Sequence, residues 1–435
     1  MIPRPAIRPA QPWAFPHPVI SRLDTGLTIW AYHLPGQFIV NCDLVLELPL
    51  NTEPAGQDGV ATLAVRCLDE GTVAHPGEDY AAALEDTGAE FTGLVGLNTT
   101  QCLLDVPYAQ LGPALRVFAE AVVGPRFDAP DVARVQANRL AEIEQQEARG
   151  AYVAWAALRA AVLAPGLRIA RPGGGDAAQV AALTARDLAS FHRAHYAAGT
   201  ATLIVAGDLT GLDVPALVEA AFGQWAPRAG APAPEVARPG PPQRRLIHRP
   251  GAVQADIRLG WFGTDHTDPD WASLQVALAI MGGVSSSRLN TTLREDNGYT
   301  YGVTMSAYPF RTGGLIDVVT ATRLATAPAV IDTTLELLRA AEPFTPAEVR
   351  DAVGYLTLSA PLMLDTAEAV SSQAATLAAA RLDLDHPNQV LRELTRVTPE
   401  SALAAYRRLI DPDRASLIVV GDADELPDLG LDQTT

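Results

Sequence analysis

Few side chains in this sequence are spaced for chemistry. His192 and His195, in FHRAHY, stand three apart, but no acidic or thiol partner is evident, and the matching stretch of the second half reads AYRRL. They are read as structural rather than as zinc ligands. The remaining histidines, including His17, His33, His75 and His248, are scattered and read as surface or structural. Cys42, Cys67 and Cys102 form no CxxC pair and read as small buried hydrophobes of a reducing compartment. There is no serine nucleophile elbow, P-loop or dinucleotide fingerprint, so a self-sufficient enzyme of unrelated chemistry has no support. Two stretches remain: GVATLAVRCLDEGT, residues 59–72, and SRLNTTLREDNGYTY, residues 287–301.

In the first, Val60, Leu63, Ala64, Cys67 and Leu68 make one apolar stripe at helical spacing. Asp58 is expected to cap the start of this helix and Gly71 its end. In the second, serines at N-cap positions open a helix, DNG makes a turn, and the Tyr-rich YTYGVTMSAY reads as a strand.

Both stretches sit in a chain that repeats itself. TARDLASFHRAHYAAGTATLIVAGD, from Thr184, matches TPESALAAYRRLIDPDRASLIVVGD, from Thr398: a capped helix, then a strand ending in Gly-Asp. CDLVLEL at Cys42 matches ADIRLGW at Ala255, and PRFDAPDVAR near Phe127 matches EPFTPAEVRD near Phe344. Similar offsets at three places argue for duplication. The Pro/Ala/Gly-rich segment 226–245 reads as a semi-rigid linker between domains at 1–225 and 246–435. Consecutive hairpin-like strands followed by helices predict an α+β fold: two tandem domains, each a mostly antiparallel sheet with helices packed on one side.

The frame Gly59-x-Ala61, with Gly71-Thr72 after it, resembles the pitrilysin family of zinc metallopeptidases, relatives of insulin-degrading enzymes and processing peptidases. The resemblance implies an HxxEH motif here, two histidines binding zinc and a glutamate activating water, with a third ligand, a glutamate, in a later helix. It places Thr62 and Arg66 at the histidine positions, Val65 at the glutamate, and Glu142 at the third ligand. Threonine is a poor ligand, arginine repels a cation, and valine is no base. No metal is expected in this chain, and Arg66 is expected to stand in the metal's place and pair with Glu142.

The resemblance is strongest at residues 287–301, where the family carries a pattern like SRLxxxLRExxGxxY and this chain has Ser287, Arg288, Leu289, Leu293, Arg294, Glu295, Gly298 and Tyr301 in register. It implies that Arg294 and Tyr301 reach toward substrate at the zinc and stabilise the oxyanion of the tetrahedral intermediate. Tyr299 is a competitor by two-residue alternation, and Arg288 reads as a loop anchor. The resemblance then implies a heterodimer: a homologous HxxEH chain supplies zinc and the catalytic glutamate, and this chain supplies Arg294 and Tyr301 in trans to an extended peptide. The alternative is a catalytically inert structural or peptide-binding subunit. The family's glycine-rich loop is reduced to MGGVSS, which argues against a presequence-gripping role. A homodimer is expected if the partner is absent.

Composition sets the outer bounds. At 435 residues the chain is long for one core. The formal charge is −18, all 32 basic residues are arginine, and no basic stripe stands out, so nucleic acid is excluded as a partner. No run approaches the roughly 18 apolar residues of a membrane span, and the proline-rich N-terminus lacks the apolar core of a secretory signal. A cytoplasmic protein is expected.

Overall fold

A computed structural model describes residues 13–227 and 230–434. The proline-rich opening through residue 12, and Arg228 and Ala229 of the linker, lie outside the described residues. Among the described residues, twelve strands form two six-stranded sheets. In the first half the strands are β1 (Val19–Arg22), β2 (Thr28–His33), β3 (Ile39–Leu46), β4 (Glu90–Val95), β5 (Thr100–Pro107) and β6 (Ala201–Gly207). The second half has β7 (Arg244–His248), β8 (Gln254–Gly263), β9 (Thr300–Phe310), β10 (Gly313–Arg323), β11 (Ser416–Gly421) and β12 (Asp432–Thr434).

The sheet orders are β1-β2-β6-β3-β5-β4 and β12-β7-β11-β8-β10-β9. From β2 and β7 onward they are the same topology, which carries the sequence duplication into three dimensions. Each sheet is antiparallel except where β6 pairs with β2, and β11 and β12 with β7. The repeated Gly-Asp strand ends form the same clasp twice. Asp208 accepts from the amides of Gly36 and Thr210, and Leu209 donates its amide to His33 Nδ1. Asp422 accepts from Gly251 and Asp424, and Ala423 donates to His248 Nδ1.

The helices that matter below are α1 (Val60–Arg66), α2 (Ala129–Glu147), α3 (Gly150–Val162), α4 (Ala185–His195), α5 (Trp271–Leu278), α6 (Pro346–Met363), α7 (Ala367–Ala380) and α8 (Pro399–Leu409). Each half packs its own helices on one face of its sheet, with Cys42, Leu44 and Leu46 of β3 facing Leu63, Ala64 and Phe118 in one core. The opposite face is not left open. It is roofed by a helix from the other half: α7 lays Ala367, Val370 and Ala374 on Val45, Ile204 and Ala206, and α3 lays Ala154 and Leu158 on Ile418 and Val420. That exchange is why β3 reads as nearly all buried rather than alternating.

Further links stitch the halves. Phe15 and Asn388 exchange two hydrogen bonds of 2.7 and 3.2 Å, and Glu47 accepts from both Arg311 and Arg381. The linker is strapped down as well: Gly240 donates to Val162, Ala164 donates to Arg238, and Glu235 accepts from the amides of Arg168 and Ile169.

Candidate functional site

Helix α1 is shorter than its sequence suggests and is capped differently. It ends at Arg66, with Cys67 as C-cap. The N-cap is Gly59, at a φ of 97° that favours glycine, and not Asp58. Asp58 is drawn away by arginines: Arg171 bonds it at 2.5 and 3.0 Å, and Arg168 lies 3.2 Å from it. The free amides of Gly59 and Ala61 donate instead to Glu53 Oε1, both at 3.0 Å, and Arg168 neutralises that carboxylate at 2.6 Å. Gly71 caps nothing. Its role is close approach, since a Cβ there would lie 2.4 Å from the amide nitrogen of Gly77. The Glu53–Arg168–Asp58–Arg171 network is invisible in the sequence, because its acids and its arginines lie more than a hundred residues apart.

Thr62, Val65, Arg66 and Glu142 are brought together. Arg66 Nη1 bonds the Glu142 carboxylate at 2.7 and 2.9 Å, the contact expected from the sequence. Arg139, almost fully buried, adds a 3.1 Å bond from one helical turn away. Burial pushes the Glu142 carboxyl up, but the hydrogen bonds from Arg66 and Arg139 prevail and hold it below its ordinary value. Thr62, Val65, Arg66 and Arg139 line a cleft of about 290 Å³ between α1, α2, α3 and the edge strand β4. These residues do not fit zinc: one carboxylate is present, and two guanidiniums hold it.

Val65, where the resemblance places a glutamate base, is buried and packs on the sheet. Gly93 of β4 makes this possible, because a Cβ there would come within 2.7 Å of Val65 Cγ2 and 2.9 Å of its carbonyl oxygen. Gly93→Ala is therefore expected to destabilise the protein by about 1–3 kcal/mol through overpacking. A urea midpoint unchanged from wild type would contradict this packing.

Arg294 and Tyr301 lie in the other half and line no part of that cleft. The helix expected to open at the serines of this stretch is broken into a short turn, Arg288–Asn290, and a wider π turn, Thr291–Asp296. Arg288 anchors it, bonding Glu348 at 2.7 and 2.9 Å and the carbonyls of Glu342 and Pro343. Arg294 is partly exposed and donates to the adjacent Glu295 at 2.8 Å. Gly298, at a φ of 62°, turns the chain into β9, the edge of the second sheet.

A β-bulge then decides which tyrosine is presented. Thr300 pairs with Thr322 and Val303 with Thr320, so β9 holds one residue more than β10 across this interval. Without it, Tyr301 would alternate onto the buried face of Val303 and Met305. With it, Tyr301 is 94% exposed. Tyr299, the competitor, packs against the second core instead.

The histidine pair is structural in its geometry. His192 Nε2 donates to the Val122 carbonyl at 2.8 Å, and its ring packs edge-on to Phe127. Burial drives its pKa down to about 4. The unfolded chain protonates this histidine near pH 6.5 and the folded one resists until about 4, so stability is lost as pH falls through that window. His192→Gln is expected to flatten the fall in thermal stability between pH 6.5 and 4 by up to about 1.4 kcal/mol per pH unit; an unchanged slope would contradict it. His248, Asp422 and Asp424 present ligand atoms within 4.8 Å of one another, but the first half builds the same clasp with Thr210 in place of Asp424.

Comparison with known proteins agrees with this architecture. Residues 182–356, which contain Arg294 and Tyr301 but not α1, match the sequence model of the Peptidase M16 inactive domain. An uncharacterized zinc protease of Mycobacterium tuberculosis is 27% identical over 418 residues, covering 93% of this chain and 94% of the relative. One from Streptomyces coelicolor is 26% identical over 417 residues, covering 92% and 89%. Among solved structures, a peptidase M16 inactive domain from Pseudomonas fluorescens superimposes with a TM-score of 0.84 at 24% identity, covering 96% of this chain and 100% of that one. A protease from Helicobacter pylori gives the same TM-score at 15% identity. The comparisons agree with the resemblance drawn from the sequence: the chain is similar to M16 proteins and has the α+β fold of those structures, and its α1 carries Thr62, Val65 and Arg66 where the resemblance places the HxxEH motif. Among the described residues, no helix is long and apolar enough to cross a membrane.

Proposed function

We propose that this chain is the non-zinc-binding subunit of a heterodimeric pitrilysin-type metallopeptidase. A homologous chain with an intact HxxEH motif supplies zinc and the catalytic glutamate, and this chain supplies Arg294 and Tyr301 across the interface. The observation that carries the reading is Tyr301: a phenol turned outward by a bulge on an edge strand, 94% exposed. An exposed tyrosine with no packing role is suited to a second surface. Its O–H donates to the oxyanion that forms on the scissile carbonyl, and the Arg294 guanidinium adds a charged donor to the same peptide group.

The cytoplasm is the proposed compartment, supported by three cysteines that are buried and free. Without its partner the chain forms homodimers in this scheme. One observation favours the inert structural or peptide-binding alternative: Arg294 is already engaged by Glu295. The two readings separate when the chain is mixed with its HxxEH partner and peptide turnover is measured. Turnover that needs both chains, and needs Arg294 and Tyr301, supports the catalytic subunit. Turnover indifferent to those two side chains supports the inert one.

A further inference from the structure

The cleft beside Arg66 holds more positive charge than its carboxylate neutralises. Arg66 and Arg139 share Glu142. Arg159 lines the same cleft and donates to the carbonyl of Arg171; among the described residues it has no carboxylate within ion-pair distance. The acids behind it are committed, Glu53 to Arg168 and Asp58 to Arg168 and Arg171. Burial, and then the like charge of Arg168, lower the Arg159 pKa to about 10, against a smaller opposing effect of Tyr152. In a chain of formal charge −18 this is a local reversal of sign.

We propose that the emptied metal cleft is an anion subsite that takes the carboxylate of an acidic side chain in a bound peptide. Its volume of about 290 Å³ falls just below the roughly 300–1,000 Å³ of small-ligand pockets, so it suits one side chain rather than a whole ligand. Gly93, Leu94 and Val95 of the edge strand β4 form one wall, so an extended peptide lying along that edge would hold a side chain over the arginines. Trp155 also lines the cleft and adds an apolar surface beside the charge. Arg159 offers a planar fork matched to a carboxylate, while Arg66 and Arg139 screen Glu142. The net negative charge elsewhere is screened beyond roughly 8 Å at physiological salt. This inference rests on the peptide-binding part of the proposed function and goes beyond it in naming what the peptide must carry.

The test uses the full chain alone at physiological salt. The probes are a labelled, end-blocked peptide with a central Asp-Glu pair, its Asn-Gln isostere, and inorganic phosphate as competitor. The acidic peptide is expected to bind about tenfold or more tighter than the isostere, and phosphate is expected to displace it. Arg159→Gln is expected to remove most of that preference while leaving the isostere's affinity unchanged, and Arg159→Lys to keep part of it. Equal affinity for the two peptides, or a preference that Arg159→Gln leaves intact, overturns the assignment. Phosphate binding without any acidic preference also overturns it, in favour of a free-anion site. If Arg159→Gln lowers the thermal midpoint, the wild-type ratio and Arg159→Lys decide. None of these outcomes bears on turnover by the heterodimer, so failure here is distinguishable from failure of the proposed function.

Discussion

Replacing Tyr301 with phenylalanine in the assembled heterodimer is expected to lower kcat/KM for a peptide substrate by about 10²-fold or more, with the thermal midpoint unchanged. The reason lies in what each side chain touches. Tyr301 is 94% exposed, so removing its hydroxyl costs this chain no packing. Its loss is felt only where charge develops on the carbonyl oxygen, so the defect should fall on kcat rather than KM. Arg294→Ala should lower kcat/KM by a similar order and also raise KM, because the guanidinium holds the ground-state carbonyl as well. Its bond to Glu295 joins two substantially exposed groups, a kind of pair typically worth roughly 0–1 kcal/mol, so stability should again barely move. The double variant should cost less than the product of the single effects if both donors serve one oxygen. A heterodimer whose turnover is indifferent to both substitutions would leave this chain a structural or peptide-binding subunit.

The second large effect is a gain. The triple substitution Thr62→His, Val65→Glu and Arg66→His restores HxxEH on α1 and is expected to raise zinc content from below about a tenth of an equivalent to near one per chain, measured by elemental analysis after dialysis. Residues 62 and 66 share a helix face, and Glu142 already lies 2.7 Å from the group at position 66. Removing Arg66 both clears the metal's place and releases one of the two guanidiniums on Glu142. Arg139 remains, 3.1 Å from Glu142, so adding Arg139→Gln should raise affinity further. A folded triple variant that takes up no zinc would show that α1 is not placed as an HxxEH helix. Arg66→Ala alone should change stability by no more than about 1 kcal/mol, because both partners are over a third exposed.

Much of this was legible from spacing and composition. The duplicated strand ends and the α1 stripe followed from local pattern, which depends on nearest neighbours along the chain. The Arg66–Glu142 contact followed from register against a family frame, since two helices fixed in one fold bring those positions together. The capping of α1 was misread. Asp58 has the right chemistry for an N-cap, but two arginines from residues 168–171 compete for it and win, and no local rule reports a charge more than a hundred residues away. The bulge at Tyr301 was likewise hidden, because alternation along β9 alone assumes a partner strand with the same count.

By itself the sequence determined the α+β duplication and which residue types stand at 62, 65, 66, 294 and 301, which the resemblance reads as a replaced metal site and a retained Arg/Tyr pair. These are matters of residue type and of spacing within one segment. Tertiary structure decided which charges meet: that Arg66 shares Glu142 with Arg139, that Asp58 abandons the helix for Arg168 and Arg171, and that among the described residues Arg159 is left without a carboxylate at ion-pair distance. It also decided that each half roofs the other's sheet, and that one extra residue in β9 turns Tyr301 outward. Coulombic and packing energies depend on distance in space, and only the folded chain sets those distances.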